Sequence, residues 1–171
     1  MLAANSHLTT MPSFHEIKFN GGALSRGFWL YVWEVTPPKG PKLYYVGRTG
    51  DSSSLNAQSP FNRMGQHLGH AKNSNMLRTH LGNHRDKINP EECSYRLVAY
   101  GPILPESKRK EEHYSRRDRI AAAERALAKA MLDADYEVMN TVHCGKDLDE
   151  ELWRELRTAF TEHFPRLANA N

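Results

Sequence analysis

"WLYVWEVTPPKGPKLYYVGRTG", Trp29 to Gly50, decides the fold. Two runs rich in aromatic and β-branched residues flank Pro37-Pro38-Lys39-Gly40-Pro41. Such runs favour extended backbone, and the proline-glycine cluster between them breaks it, so the segment reads as a β-hairpin with a longer loop. Strands are expected over Phe28 to Val35 and Lys42 to Gly47. Side chains alternate across a strand, which puts Trp29, Tyr31 and Trp33 on one face of the first. Leu43, Tyr45 and Gly47 share a face of the second, and the two faces can coincide. Tyr31 and Tyr45 can then reach one pocket, while Tyr44 points the other way, toward packing.

Outward from the hairpin, the punctuation is clear. "FHEIKF", Phe14 to Phe19, has the composition of a short strand, ended by Gly21-Gly22. The residues before it, Met1 to Ser13, read as a loose polar tail. After the hairpin, "RTGDSSSLNAQ" has turn composition, and Ser59-Pro60 opens a helix, with serine at the N-cap and proline at the first helical position. Phe61, Met64 and Leu68 give that helix an apolar face. "NSNMLRTHLGNHRDK" reads as a second helix and "CSYRLVAYGPI" as a third strand, ended by Gly101-Pro102. A long helix spans roughly Lys110 to Ala134, and "YEVMNTV" is a short extended piece. "KDLDEELWRELRTAFTEHF" is a final amphipathic helix, with Asp147 and Glu150 at capping-box spacing and Leu148, Leu152, Leu156 and Phe160 on one stripe. The order β-β-α-α-β-α-(β)-α predicts an α+β fold, a small three-stranded antiparallel sheet flanked by helices. It carries an N-terminal extension over 1–27 and a C-terminal helix over 143–171 packed on the domain.

Charge and composition narrow the function classes. The 171 residues carry 23 Lys and Arg against 20 Asp and Glu, a net charge of +3 that does not by itself demand a polyanionic partner. Its distribution is uneven. Lys108, Arg109, Lys110, Arg116, Arg117 and Arg119 cluster, and acids gather at Asp147, Asp149, Glu150 and Glu151. That asymmetry fits one polyanion-facing side, and equally a solvated helix face. Cys93 and Cys144 make no disulfide framework, and no apolar run approaches a membrane span. A soluble, cytoplasmic protein with no membrane association is expected.

A few side chains point to chemistry. Arg63 and His67 are four apart on the helix opened by Ser59, so they share a face and can hold a phosphate and move a proton, although from the pair alone two solvated polar residues are the plainer reading. Glu124 lies in the long helix, within the narrow arc marked by Ile120, Leu127 and Met131. A carboxylate on an apolar face needs a cation, a metal ion or hydrogen-bond donors, and a structural ion pair with a nearby arginine would serve as well. Asn140 follows in the extended piece. His67, His70, His80 and His84 raise the question of zinc, but no Cys-x-x-Cys accompanies them and no acid or cysteine stands at ligand spacing. "GRTG" is too short for a phosphate-binding loop.

Taken in order, these elements resemble the GIY-YIG nuclease superfamily. Trp29-Leu30-Tyr31 looks like the Gly-Ile-Tyr element, with Trp29 in place of its glycine, and Tyr45-Val46-Gly47 looks like the Tyr-Ile-Gly element. Arg63 and His67 match the helix arginine and histidine, Glu124 the metal-binding glutamate and Asn140 the terminal asparagine. The resemblance covers 28–142. The long loop between Gly47 and Arg63, with the N-terminal extension, is similar to the restriction-endonuclease branch. Arg48 is a second candidate for the phosphate-binding arginine, and His70 a second candidate for the histidine.

The resemblance implies a metal-dependent endonuclease that hydrolyses phosphodiester bonds of double-stranded DNA with Mg²⁺ or Mn²⁺. Glu124 would hold the metal and Arg63 a phosphate oxygen. Tyr31 or Tyr45 would activate water, His67 would assist proton transfer, and Asn140 would support the site. Gly47 would leave room for a phosphate backbone. Arg48, Lys108, Arg109, Lys110, Arg116, Arg117 and Arg119 are the expected DNA contacts, with residues 51–59 adding specificity. A sequence-specific type II restriction enzyme is expected, as a homodimer if its site is palindromic. A structure-specific nuclease of repair, recombination or mobile elements uses the same site. A non-catalytic nucleic-acid-binding domain is the remaining alternative.

Overall fold

A computed structural model describes residues 12–52, 54–71 and 75–170. The described residues form an α+β fold, with three antiparallel strands and four α-helices among them. Strands β1 (Phe28–Thr36), β2 (Leu43–Arg48) and β3 (Ser94–Leu104) form one sheet in the order β2-β1-β3. Helices α1 (Pro60–Leu68) and α2 (Met76–Asn83) lie between β2 and β3 in sequence, and α3 (Lys110–Asp133) and α4 (Glu150–Thr161) follow.

The central place of β1 explains its composition. A strand covered on both faces has no reason to alternate polar and apolar residues. Six successive residues from Phe28 to Trp33 are accordingly buried. Phe28, Leu30 and Val32 face α3 and α4, where they pack with Ile120, Leu127, Met131, Leu156 and Phe160. Tyr31, Trp33 and Val35 face the other way, with Leu43 and Tyr45 of β2 and Leu77 and Leu81 of α2. The tyrosines of the hairpin therefore share a face as expected, and Tyr44 packs in the opposite core against Tyr136 and Phe164. The C-terminal helix is part of that same core.

Local signals account for the helix starts. The Ser59 hydroxyl accepts a hydrogen bond from the Asn62 amide and Pro60 opens α1, as the sequence suggests. At α4 the capping residue is Asp149, whose carboxylate accepts from the Leu152 amide, and not Asp147. The two are alike in composition, and the helix itself begins at Glu150, directly after Asp149. Residues 73 and 74 of the expected second helix lie outside the described residues, as do 1–11 of the expected tail; α2 itself is shorter than the stretch that suggested it.

Two expected strands differ. Phe14 to Phe19 forms no strand, and Phe14, Ile17 and Phe19 are exposed. β3 does not end at Gly101-Pro102 but runs to Leu104. A register shift between Phe28 and Leu30 absorbs the irregularity, and β3 is an edge strand, where a proline without an amide proton breaks no ladder on its outer side. No helix among the described residues is long and apolar enough to cross a membrane.

β2 would be the other edge, but the chain returns to close it. The Tyr44 amide donates to the Glu137 carbonyl at 2.9 Å, and the Met139 amide donates to the Tyr44 carbonyl at 2.7 Å. One step further, the Asn140 side chain replaces a backbone neighbour. Its Oδ1 accepts from the Val46 amide at 3.0 Å and its Nδ2 donates to the Val46 carbonyl at 2.8 Å. Alanine at this position would leave both Val46 groups without that partner. Asn140→Ala should lower the unfolding free energy by about 1–3 kcal/mol and speed hydrogen exchange at the Val46 amide. Unchanged exchange at Val46 would rule out the clamp.

Candidate active site

The sheet brings Tyr31, Tyr45, Arg63 and His67 together on the α1 side, and β2 carries Arg48 through to Glu124 on the α3 side. Register explains the division. Tyr31 stands opposite Gly47 and Leu30 opposite Arg48, so successive β2 residues serve opposite faces. A Cβ on Gly47 would lie 2.5 Å from the Tyr31 ring and 2.7 Å from its hydroxyl oxygen. The missing side chain thus makes room for Tyr31, a correction to the expectation that it makes room for a phosphate backbone.

Tyr31 is buried, and its hydroxyl is hydrogen-bonded to His67 Nε2 at 2.6 Å. Burial above all pushes the Tyr31 hydroxyl well above its ordinary range, against the lowering influence of Arg63. Tyr45 is 9% exposed and meets the rings of both His67 and His80 at their edges or at a tilt. Its hydroxyl is pushed up to about 12, first by burial and then by the negative charge of Glu124. These surroundings keep both tyrosines protonated. His67 is buried, and His70, the alternative, is exposed at the end of the same turn.

Arg63 is held from two sides. One Nη donates to Gln66 Oε1 at 3.0 Å and the other to Asp51 Oδ2 at 2.9 Å, while its Nε is buried without a partner. Asp51 is a site residue that sequence reasoning missed as such. An acid in a turn segment shows no periodicity, and its only signal is closeness in sequence to the Tyr45-Val46-Gly47 element. A polar cleft of about 280 Å³ opens beside it, lined by Gly50, Asp51, Asn56, Gln58, Arg63 and Gln66 among others. A larger groove of about 620 Å³, between β3 and α4, contains none of the candidate residues.

Glu124 finds its partner in Arg48. Arg48 Nε donates to Glu124 Oε2 at 2.8 Å, with both side chains 15% exposed. Burial raises the Glu124 carboxyl to about 6 even though the guanidinium of Arg48 pulls the other way. Among the described residues no group of three or more His, Cys, Asp and Glu is placed to hold a metal ion. The donors present suit a hard, hydrated cation such as Mg²⁺ or Mn²⁺ held through one carboxylate, since such ions keep several of their waters. They do not form a multi-ligand protein cage.

The basic stretch before and along α3 is not one uniform surface. Lys108, Arg109 and Lys110 are exposed. Arg116 pairs with Glu112 and donates to the carbonyls of Pro105 and Glu106. Arg117 pairs with Asp118 and lies over the Tyr114 ring, and Arg119 pairs with Asp149 at 2.5 Å. These three arginines brace α3, so any role in contacting DNA requires exchanging an internal acid for a phosphate. No family model, curated protein or solved structure matches this chain.

The buried histidine has a measurable consequence. Burial, and next the charge of Arg63, lower the His67 imidazole to about 4. A histidine in the unfolded chain titrates near ~6.5. On acidification the unfolded state therefore takes up this proton first. Stability fully present above about pH 6.5 is lost as pH falls, until about pH 4, by roughly 3 kcal/mol for this group. Chemical denaturation of wild type and His67→Gln at pH 7 and pH 4.5 checks this, the variant being expected to lose less stability. Equal losses in the two proteins would refute it.

Proposed function

We propose that this chain is a metal-dependent DNA endonuclease of the GIY-YIG type, hydrolysing phosphodiester bonds in double-stranded DNA at a specific sequence. The observation that carries the reading is convergence. Tyr31, Tyr45, Arg63 and His67 pack as one cluster, and the Tyr45 hydroxyl is close enough to Glu124 to be influenced by its charge. Asn140, from beyond α3, clamps the strand residue between Tyr45 and Gly47. A fold without a reaction to perform has little use for buried tyrosine hydroxyls, an imidazole, a guanidinium and a carboxylate gathered about one strand, since each costs desolvation.

A divalent cation, when bound, supplies charge to polarise the scissile phosphate and stabilise the departing oxygen. Glu124 holds it. Arg63, fixed by Asp51 and Gln66, presents positive charge to a phosphate oxygen where negative charge develops. Tyr45, the more exposed tyrosine, orients the attacking water. The buried Tyr31–His67 pair lies behind it, with the imidazole neutral and held in place by the Tyr31 hydroxyl. Asn140 acts through β2, as a positioning residue for Tyr45 and Arg48.

Sequence specificity falls to the loop after β2, which lines the polar cleft beside Arg63, and to the exposed Lys108, Arg109 and Lys110. A palindromic target would engage two copies of the chain.

The test is cleavage of plasmid and phage DNA with Mg²⁺ or Mn²⁺, followed by end mapping. Discrete fragments with fixed ends are expected. Glu124→Ala should lower the rate by at least about a hundredfold, as loss of the charge-stabilising cation implies. Undiminished cleavage by that variant would overturn the metal assignment, and a smear from wild type would overturn sequence specificity.

A further inference from the structure

The contact between Arg48 and Glu124 creates a conflict at the proposed metal site. Arg48 is the last residue of β2 and stands opposite Leu30, so its side chain leaves the sheet toward α3. There its Nε donates to Glu124 Oε2 at 2.8 Å, in a setting that shields both groups from water. A cation on the same carboxylate would meet a second positive charge at close range, with little solvent to screen it.

The neighbouring charges do not relieve the conflict. Arg63 is committed to Asp51 and Gln66, and Asp51 to Arg63. One carboxylate facing both Arg48 and a divalent cation leaves an excess of positive charge, and a phosphodiester would neutralise it. Arg48 is equipped for such an exchange. Its Nη1 is buried with no hydrogen-bond partner, so the guanidinium satisfies Glu124 while leaving a donor unused. A phosphate offers a guanidinium two oxygens at once, a better match than its present contact.

Resting on the endonuclease reading, we infer that Arg48 is an electrostatic latch that couples cation binding to DNA binding. Without DNA, its guanidinium neutralises Glu124 and holds cation affinity down. With DNA bound, the guanidinium turns to a phosphate and Glu124 becomes available to the cation. By thermodynamic linkage the cation strengthens DNA binding by the same factor. The consequence is a nuclease that loads its metal where substrate is present.

The test measures Mn²⁺ affinity by electron paramagnetic resonance on the full chain at pH 8 and fixed ionic strength. It is made with and without a short duplex, correcting for Mn²⁺ taken up by the duplex alone. In wild type the duplex should tighten Mn²⁺ binding by about tenfold. R48Q should bind Mn²⁺ about tenfold more tightly than wild type without DNA, and gain little from the duplex. R48K, which keeps the charge, should stay close to wild type. A wild-type affinity indifferent to the duplex overturns the latch with no variant involved. So does an R48Q protein that binds Mn²⁺ no better than wild type. E124Q separates the two readings: Mn²⁺ binding that survives this substitution refutes Glu124 as the metal ligand itself.

Discussion

The backbone of β2 is the constraint on which the rest of the site depends. One side of this strand pairs with β1, and the other is closed by Glu137, Met139 and the Asn140 side chain. With both sides held, Tyr45, Gly47 and Arg48 keep fixed positions, and their alternation sends adjacent residues into different cores. A one-residue slip would exchange those faces, moving Tyr45 into the α3 core and Arg48 toward Tyr31. The hydrogen bonds from Asn140 therefore do more than cover an edge. They hold the register that gives the α1 side its tyrosine and the α3 side its arginine.

Much of this is legible in the sequence because it is periodic or local. The hairpin declares itself by β-branched and aromatic runs around a Pro-Gly-Pro loop, and α1 by Ser59-Pro60. Glu124 is conspicuous because an acid stands where Ile120, Leu127 and Met131 define an apolar arc, and all three are fully buried. What escapes is set by partners distant in the chain. Gly101-Pro102 looks like a strand end, yet β1 pairs with β3 on both sides of it. Phe14 to Phe19 has a strand's composition but pairs with no strand of the sheet. Asp51 lies in a turn segment, and only the packing of α1 beside that turn makes it the partner of Arg63. Gly47 is identifiable as a special position, but the reason, the ring of Tyr31 across the strand pair, requires the register.

The site at rest is a set of mutually compensated groups rather than an armed one. Arg48 neutralises Glu124, and Asp51 neutralises Arg63. His67 is neutral at physiological pH, and both tyrosines are protonated. Compensation of this kind lets a small domain bury ionisable groups without bearing the full desolvation cost of each. On the endonuclease reading, reactivity is then introduced from outside, by ions that compete for the same partners.

On the endonuclease reading, this assigns the two tyrosines different duties. Tyr31 has its hydroxyl bonded to His67 and its ring filling the space above Gly47, with little freedom to approach a phosphate. Tyr45 retains some exposure, and the charge of Glu124 ranks above Arg63 in its surroundings. When a cation offsets that negative charge, the electrostatic penalty on a Tyr45 phenolate falls, whereas burial dominates at Tyr31 whatever Glu124 carries. The same event that equips the site to polarise a phosphate thus favours Tyr45 as the hydroxyl that responds, leaving Tyr31 to hold His67 in place.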